Sequence, residues 1–213
     1  MNEKLQQVVW PAAFIVGFVV IWEAVVRLFA IPDTFLPGPI AVWQAMVKYW
    51  TPITTNSAHT LFETLVGFAL AIVFGLALGL LVGSSKVIYN GLYPIMIGFN
   101  AVPKVAIVPV LILWFGIGTV PAILTAFLIS FFPIVVNVAT GLATTEPELQ
   151  DVLKALGASK FDIMRKVGIP RSMPYFFGSL KVAITLAFVG AVVSETVGAN
   201  HGIGHLMLQA QAN

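Results

Sequence analysis

The chain has 213 residues, 59% of them hydrophobic and only 9% charged, with a mean hydropathy of +0.96 and a formal net charge of +2. A soluble domain carries roughly a quarter charged residues, so a soluble enzyme, a disordered chain and a nucleic-acid binder are excluded, and the charge is too small to argue for a polyanionic partner. With no cysteine in the chain, disulfides, thiolate catalysis and Cys-ligated metals are excluded too.

The apolar residues fall in long runs, and residues 65–83 form a stretch of 19 without one polar side chain. A bilayer core about 30 Å thick takes roughly 20 such residues per helix. This predicts an all-α polytopic membrane protein with one domain over residues 1–213; the ten-residue alternating strands of a membrane barrel are absent. The first run, 8–22, extends to about residue 30 through Glu23 and Arg27, which lie one helical turn apart and can pair. It starts close behind Lys4, as a signal peptide would, but no A-x-A-like cleavage site follows, so it reads as a retained anchor. After a Pro-rich turn at 31–39, Ile40, Trp43, Val47 and Trp50 recur at helical spacing with polar residues between them. That pattern predicts a helix lying in the membrane interface.

The second span covers 61–83 and carries Gly75-x-x-x-Gly79-x-x-x-Gly83, with Ala71 one step earlier on the same ridge. Small residues at spacing four let another backbone approach closely. The ridge reads as internal packing within one subunit, a subunit–subunit face being the alternative. The third segment, 92–115, is long enough to span, but Pro94, Asn100, Pro103, Lys104 and Pro109 interrupt it. Irregular backbone survives in a membrane only where protein or a water-filled cavity covers it, so this reads as a broken helix beside a pathway. The fourth span is 120–142, with Pro133 and Asn137 inside it. The fifth is 175–199, with Lys181 near one end and Glu195 near the other. A Gly-rich stretch then leads to Asn213 with no sixth span.

Charge sets the expected orientation. Six of the eleven Lys/Arg lie in one connection and its flank: Lys154, Lys160, Arg165, Lys166, Arg171 and Lys181. The positive-inside rule places that connection in the cytoplasm. Counting back through four spans puts the N-terminus with Lys4, and also Lys86, on the same side. Eight basic residues then lie inside, two (Arg27 and Lys48) outside, and Lys104 is undecided.

That connection, residues 143–174, is the most informative part of the chain. Thr145-Glu146-Pro147-Glu148 reads as a capping box, with Thr145 as N-cap and Glu148 at N3. Leu149, Val152, Leu153 and Leu156 follow as one apolar stripe, and Gly157 ends the helix. Ser159 can cap a second short helix carrying Phe161, Met164 and Val167, which Gly168 and Pro170 stop. Two short amphipathic helices joined at a glycine elbow must pack on something: the membrane domain, the headgroups or a cytoplasmic partner.

The stretch Asp151-Val152-Leu153-x-x-x-Gly157, followed after nine residues by Val167-x-Ile169-Pro170, resembles the EAA loop of binding-protein-dependent ABC importer permeases. That loop reads E-A-A-x-x-x-G, nine residues, then I-x-L-P. The glycine and the terminal proline match in spacing, while Asp151, Val152 and Leu153 replace the opening Glu-Ala-Ala. Pro103-x-x-Ala106-x-x-Pro109, Trp114-Phe115-Gly116-x-Gly118, Phe132-Pro133-x-x-x-Asn137 and Gly202-x-Gly204 are similar to the branch that handles nitrate, sulfonates, taurine, bicarbonate and thiamine-pyrimidine precursors.

The resemblance implies a type I ABC importer transmembrane domain, with five spans in this chain and the family's usual sixth missing at the C-terminus. It implies a bacterial inner-membrane protein working as a homodimer with two ABC ATPase subunits and an extracytoplasmic solute-binding protein, by alternating access. No G-x-x-x-x-G-K-[ST] occurs in the chain, so ATP and Mg would be held by the partner ATPase, with no cofactor and no catalytic residue here. The resemblance assigns ATPase docking to Glu148, Asp151, Leu156, Gly157, Ala158, Ser159, Phe161 and Arg165.

An ionisable residue inside a span is a functional-site hypothesis by default. The intramembrane charges counted this way are Lys104 and Glu195. Lys104 reads as a cation on the pathway, suited to an anion, or as an interfacial lysine that snorkels to water. Glu195 lines an outer vestibule or is satisfied by a neighbouring helix. Asn100 and Asn137 complete the pathway candidates, and both are expected to hydrogen-bond between helices. His201 and His205 have a spacing that suits zinc on a helix. However, Gly202 and Gly204 argue against a rigid helix and no third ligand is evident, so no metal is assigned. A secondary transporter driven by an ion gradient is the alternative, but no internal repeat supports it. An intramembrane hydrolase lacks a nucleophile–base arrangement at membrane depth, since His59 lies at the start of span two.

Overall fold

The computed structural model describes residues 3–144 and 147–212. It separates into two compact units, residues 1–54 and 55–213. The first contains α1 (Glu3–Leu28) and α2 (Pro39–Lys48). None of the apolar window of α1 is buried within the chain. Glu23 accepts from Arg27 Nε at 2.6 Å and from the backbone N–H of Ile40 at 3.2 Å. One carboxylate thus neutralises Arg27 and satisfies a free donor at the start of α2. Trp43 stands 66% exposed on α2, fitting a helix too short to span. Tyr49 breaks the helical backbone at φ −105°, ψ 26°, so Trp50 belongs to the next helix and not, as expected, to the interfacial one.

The remaining elements are α3 (Trp50–Gly83), α4 (Lys86–Ala101), a 3₁₀ turn (Lys104–Ile107), α5 (Val108–Phe115) and α6 (Thr119–Ala143). There follow α7 (Pro147–Ala155), α8 (Lys160–Ile163), a π turn (Met164–Gly168), α9 (Ile169–Gly198) and α10 (Ile203–Gln211). Among the described residues, four helices are long and apolar enough to cross a membrane, five if α4 and α5, bent by 74°, count as one broken span. The predicted interruption is therefore present, at Val102, Pro103 and the 3₁₀ turn.

The small-residue ridge of α3 faces α6. A methyl added at Gly75 would lie 3.0 Å from Ile134, one at Gly79 2.7 Å from Val138, and one at Gly83 2.7 Å from Leu142. Each step of four on α3 meets a step of four on α6 in ascending order, so the two helices run parallel. The ridge is internal packing. α9 runs the other way: Gly190 lies against Ala126, and Gly141 against Ser172 and Tyr175. Because α3 and α6 are parallel, the bent α4–α5 segment must carry the chain back along the length of the bundle.

Three boundaries differ from expectation. α3 begins at Trp50 rather than residue 61, and the Thr54 and Thr60 hydroxyls of its polar first turns are satisfied by the carbonyls of Trp50 and Asn56 on their own helix. Gly168 and Pro170 do not stop a helix. Pro170 sits in the first turn of α9, where its missing N–H costs nothing, and the wider π turn before it lets the chain run on. The Gly-rich end of the chain forms α10.

Candidate functional site

The α7–α8 connection is built locally. Gly157 has φ +83°, its N–H donates to the Lys154 carbonyl at 2.9 Å, and the Ala158 N–H donates to the Leu153 carbonyl at 3.0 Å. This is a Schellman termination, whose left-handed position favours glycine. The Ser159 hydroxyl accepts from the Asp162 N–H at 3.1 Å and donates to the Asp162 carboxylate at 2.5 Å, capping α8. Thr145, the expected N-cap of α7, lies outside the described residues. Glu148 falls in the first turn of α7.

The elbow projects apolar groups outward. Leu156 is 78% exposed and Phe161 71%. Ala158 is half-buried, and Arg165 is exposed on the π turn. Asp151 pairs with Lys154 at 2.9 Å. That hydrogen bond, with the field of Lys86 added, holds the exposed Asp151 carboxyl below the usual carboxylate range. The inner side of α8 is anchored instead by Ile163, which is buried. A cavity of about 750 Å³ separates the connection from the bundle end, lined by Gly83, Lys86, Tyr89, Leu142, Lys154 and Lys160.

Of the polar span residues, Asn100 and Lys104 meet in the bend. Lys104 Nζ donates to the Asn100 backbone carbonyl and to its Oδ1, both at 2.9 Å, and lies 4.9 Å from the centre of the Phe132 ring. It thereby supplies a donor to backbone that the bend strips of its helical partner. Asn137 does not bond between helices: its Nδ2 donates to the Pro133 carbonyl of its own helix at 2.8 Å. Glu195 is far along the bundle, at the end opposite the α7–α8 connection, and is 1% exposed. Its Oε2 accepts the Gly204 N–H at 2.7 Å.

A further ionisable residue in the bundle is one that the apolar runs do not mark. Glu63 on α3 is fully buried, and its carboxyl lies at the same turn, residues 201–204, that Glu195 bonds. His201 lies 3.7 Å from the Glu63 carboxyl and stacks on His59 at 4.5 Å between centroids. A signal for it exists in the spacing: Glu63 stands one step of four before Gly67 and Ala71, on the very ridge that packs against α6.

Residues 71–213 match the family described as the binding-protein-dependent transport system inner membrane component. The chain is 32% identical over 203 residues to the formylaminopyrimidine transport permease protein ThiX of Halalkalibacterium halodurans, covering 95% of this chain and 81% of that one. It is 33% identical over 213 residues to the riboflavin transport system permease protein RibX of Chloroflexus aurantiacus, covering 96% and 78%. A chain of the MetNI methionine ABC transporter in an inward-facing conformation superposes with a TM-score of 0.56 at 20% identity, covering 76% of this chain and 81% of that one. The EAA-like spacing, the broken span and these likenesses agree: the chain belongs to the inner-membrane permease components of binding-protein-dependent ABC transporters.

Proposed function

We propose that this chain forms half of an ATP-driven import pathway and takes its motion from an ABC ATPase subunit through the α7–α8 elbow. The observation that carries the reading is the elbow itself: an α-helix closed at Gly157, with Leu156 and Phe161 standing exposed on either side of it. Exposed apolar groups at a tight, preorganised turn suit insertion into a groove of a partner. Glu148, Asp151, Ala158, Ser159 and Arg165 supply the polar surround. α8 then runs through the π turn into α9 without a break, so a displacement of the elbow reaches a membrane helix through continuous backbone.

A second copy of the chain completes the pathway, and an external solute-binding protein delivers a small polar or anionic solute. Support for the solute class is the cation of Lys104, held by Asn100 in the bend near α6, the helix that carries Asn137. The relatives' named solutes, formylaminopyrimidine and riboflavin, are likewise polar. The elbow and the N-terminus lie in the cytoplasm, as the Lys/Arg asymmetry favours.

Gly157→Val tests the reading. A methyl at this position meets nothing within 4 Å in the chain itself, so the penalty inside the subunit is the left-handed backbone alone, on the order of 1–3 kcal/mol. The variant is expected to insert and dimerise as the wild type does, yet to lose the ATPase in pull-down or to hydrolyse ATP without uptake. Wild-type retention of the ATPase together with wild-type uptake, in a well-expressed variant, would remove the elbow from the coupling role.

A further inference from the structure

Glu63 and Glu195 each extend a small-residue stripe by one step of four. Glu63 precedes Gly67 and Ala71 on α3; Glu195 follows Ala187 and Ala191 on α9. They are 0% and 1% exposed, and both carboxyls reach the turn at 201–204: His201 Nδ1 lies 3.7 Å from Glu63 Oε1, and the Gly204 N–H bonds Glu195 Oε2. Neither oxygen of Glu63, nor Oε1 of Glu195, has a hydrogen-bond partner. From α6, the neighbouring polar group is the Thr119 hydroxyl, 3.3 Å from Nε2 of His201. From the turn before α10, His201 places Nδ1 3.7 Å from Glu63, beyond hydrogen-bond reach, with its ring stacked on His59 of α3. Among the described residues no lysine or arginine pairs with either carboxyl, and His205 on α10 forms no hydrogen bond or ion pair with them.

The same groups fasten a turn. The N–H of Gly202 donates to Asn56 Oδ1 at 2.7 Å, that of Ile203 to the Thr60 hydroxyl at 2.8 Å, and that of Gly204 to Glu195 Oε2 at 2.7 Å. A helix leaves its first N–H groups without internal partners. Here three consecutive donors at the start of α10 end on α3 and α9. Gly202 has φ +100°, and a Cβ there would fall on the Glu195 carboxyl.

Two adjoining carboxyls out of water, with no cation bonded to them, cannot both be ionised. We propose that Glu63 and Glu195 bind one proton between them and that this proton fastens the α10 turn to the α3–α9 seam. Glu63 carries it and donates its O–H to the open Oε1 of Glu195, which leaves Oε2 to accept the Gly204 N–H. Loss of the proton leaves two carboxylates face to face, relieved only when the turn lifts and water enters. The attached state holds one proton more than the released state, so release is favoured as pH rises, by up to about tenfold per pH unit. The clasp lies at the opposite end of the bundle from the Gly157 elbow and stands independently of ATPase docking.

Hydrogen exchange at residues 202–204, measured on the full chain in lipid nanodiscs and corrected for intrinsic base catalysis, reads attachment. Protection in the wild type is expected to fall with rising pH, approaching a tenfold loss per unit. Glu63→Gln, whose amide donates without titrating, is expected to keep the turn protected at every pH. Infrared spectroscopy adds a readout on the unaltered chain: a carbonyl band of a buried protonated carboxyl at neutral pH, which Glu63→Gln removes. The proposal is overturned if the wild type lacks that band, if its protection is level from about pH 6 to about pH 9, or if Glu63→Gln shows the wild-type slope.

Discussion

Gly79 and Gly17 are both helical glycines in apolar helices, and they differ in what their missing side chain meets. A methyl at Gly79 lies 2.7 Å from the Val138 Cβ and 3.1 Å from the Val135 carbonyl, whereas one at Gly17 meets nothing within 4 Å. The contact at Gly79 involves the facing helix rather than the tip of a flexible side chain, so relief requires α3 and α6 to separate. Gly79→Ala is therefore expected to destabilise by about 1–3 kcal/mol. Gly17→Ala, relieved of glycine's backbone entropy, is expected to be neutral or stabilising by up to about 1 kcal/mol. Thermal unfolding in one detergent measures both, and equal shifts would mean that the ridge does not hold α3 to α6. The spacing of small residues is enough to make this ridge legible in the sequence. The same spacing holds Glu63, but a carboxylate two residues inside a predicted span reads as a boundary residue when only the apolar run is followed. What places it in the core is its facing helix, and facing helices are not written in a single run of residues.

At the scale of elements, helix type was legible and helix ends were not. Hydropathy ends where apolar residues end, yet α3 continues outward through Thr51, Thr54, Asn56 and Thr60 to a length of about 51 Å at 1.5 Å per residue. Likewise Pro170 is a stop signal after an ordinary α-helical turn but a favoured first-turn residue after a π turn. The bend between α4 and α5 was legible because Pro103 and Pro109 flank a lysine within one apolar segment. Its internal partner was not: Lys104 holds the Asn100 carbonyl as well as its side chain. Lys104→Ala removes the cation and leaves that carbonyl without its donor. Uptake is expected to fall at least several-fold while ATPase retention stays at the wild-type level; Lys104→Arg, keeping charge and donors, is expected to retain most uptake. Unchanged uptake by the alanine variant would return Lys104 to a lysine that merely reaches for interfacial water.

At the scale of the whole molecule, the parallel run of α3 and α6 bears on a question of topology that hydropathy leaves open. A bent pair of helices can cross a bilayer or dip into it and return on the same side. In the second case, two spans joined by the pair would leave it from the side on which they entered, and α3 and α6 would run antiparallel. Gly75 meets Ile134 and Gly83 meets Leu142, so they are parallel, and the expectation is that α4–α5 crosses the layer as one broken helix. On that expectation three crossings separate the turn at 31–38 from the α7–α8 connection, because α2, ten residues and about 15 Å long, is too short to add a fourth. The chain has no cysteine, so single cysteines introduced as Asp33→Cys and Lys160→Cys report sidedness without background. In sealed vesicles of known orientation, a membrane-impermeant maleimide is expected to label the two from opposite faces, with Lys160→Cys on the cytoplasmic face, where most of the Lys/Arg cluster. Labelling of both from one face would make α4–α5 a re-entrant pair and defeat the crossing count; labelling from opposite faces with Lys160→Cys outside would keep the count and invert the molecule, removing the elbow from any cytoplasmic ATPase.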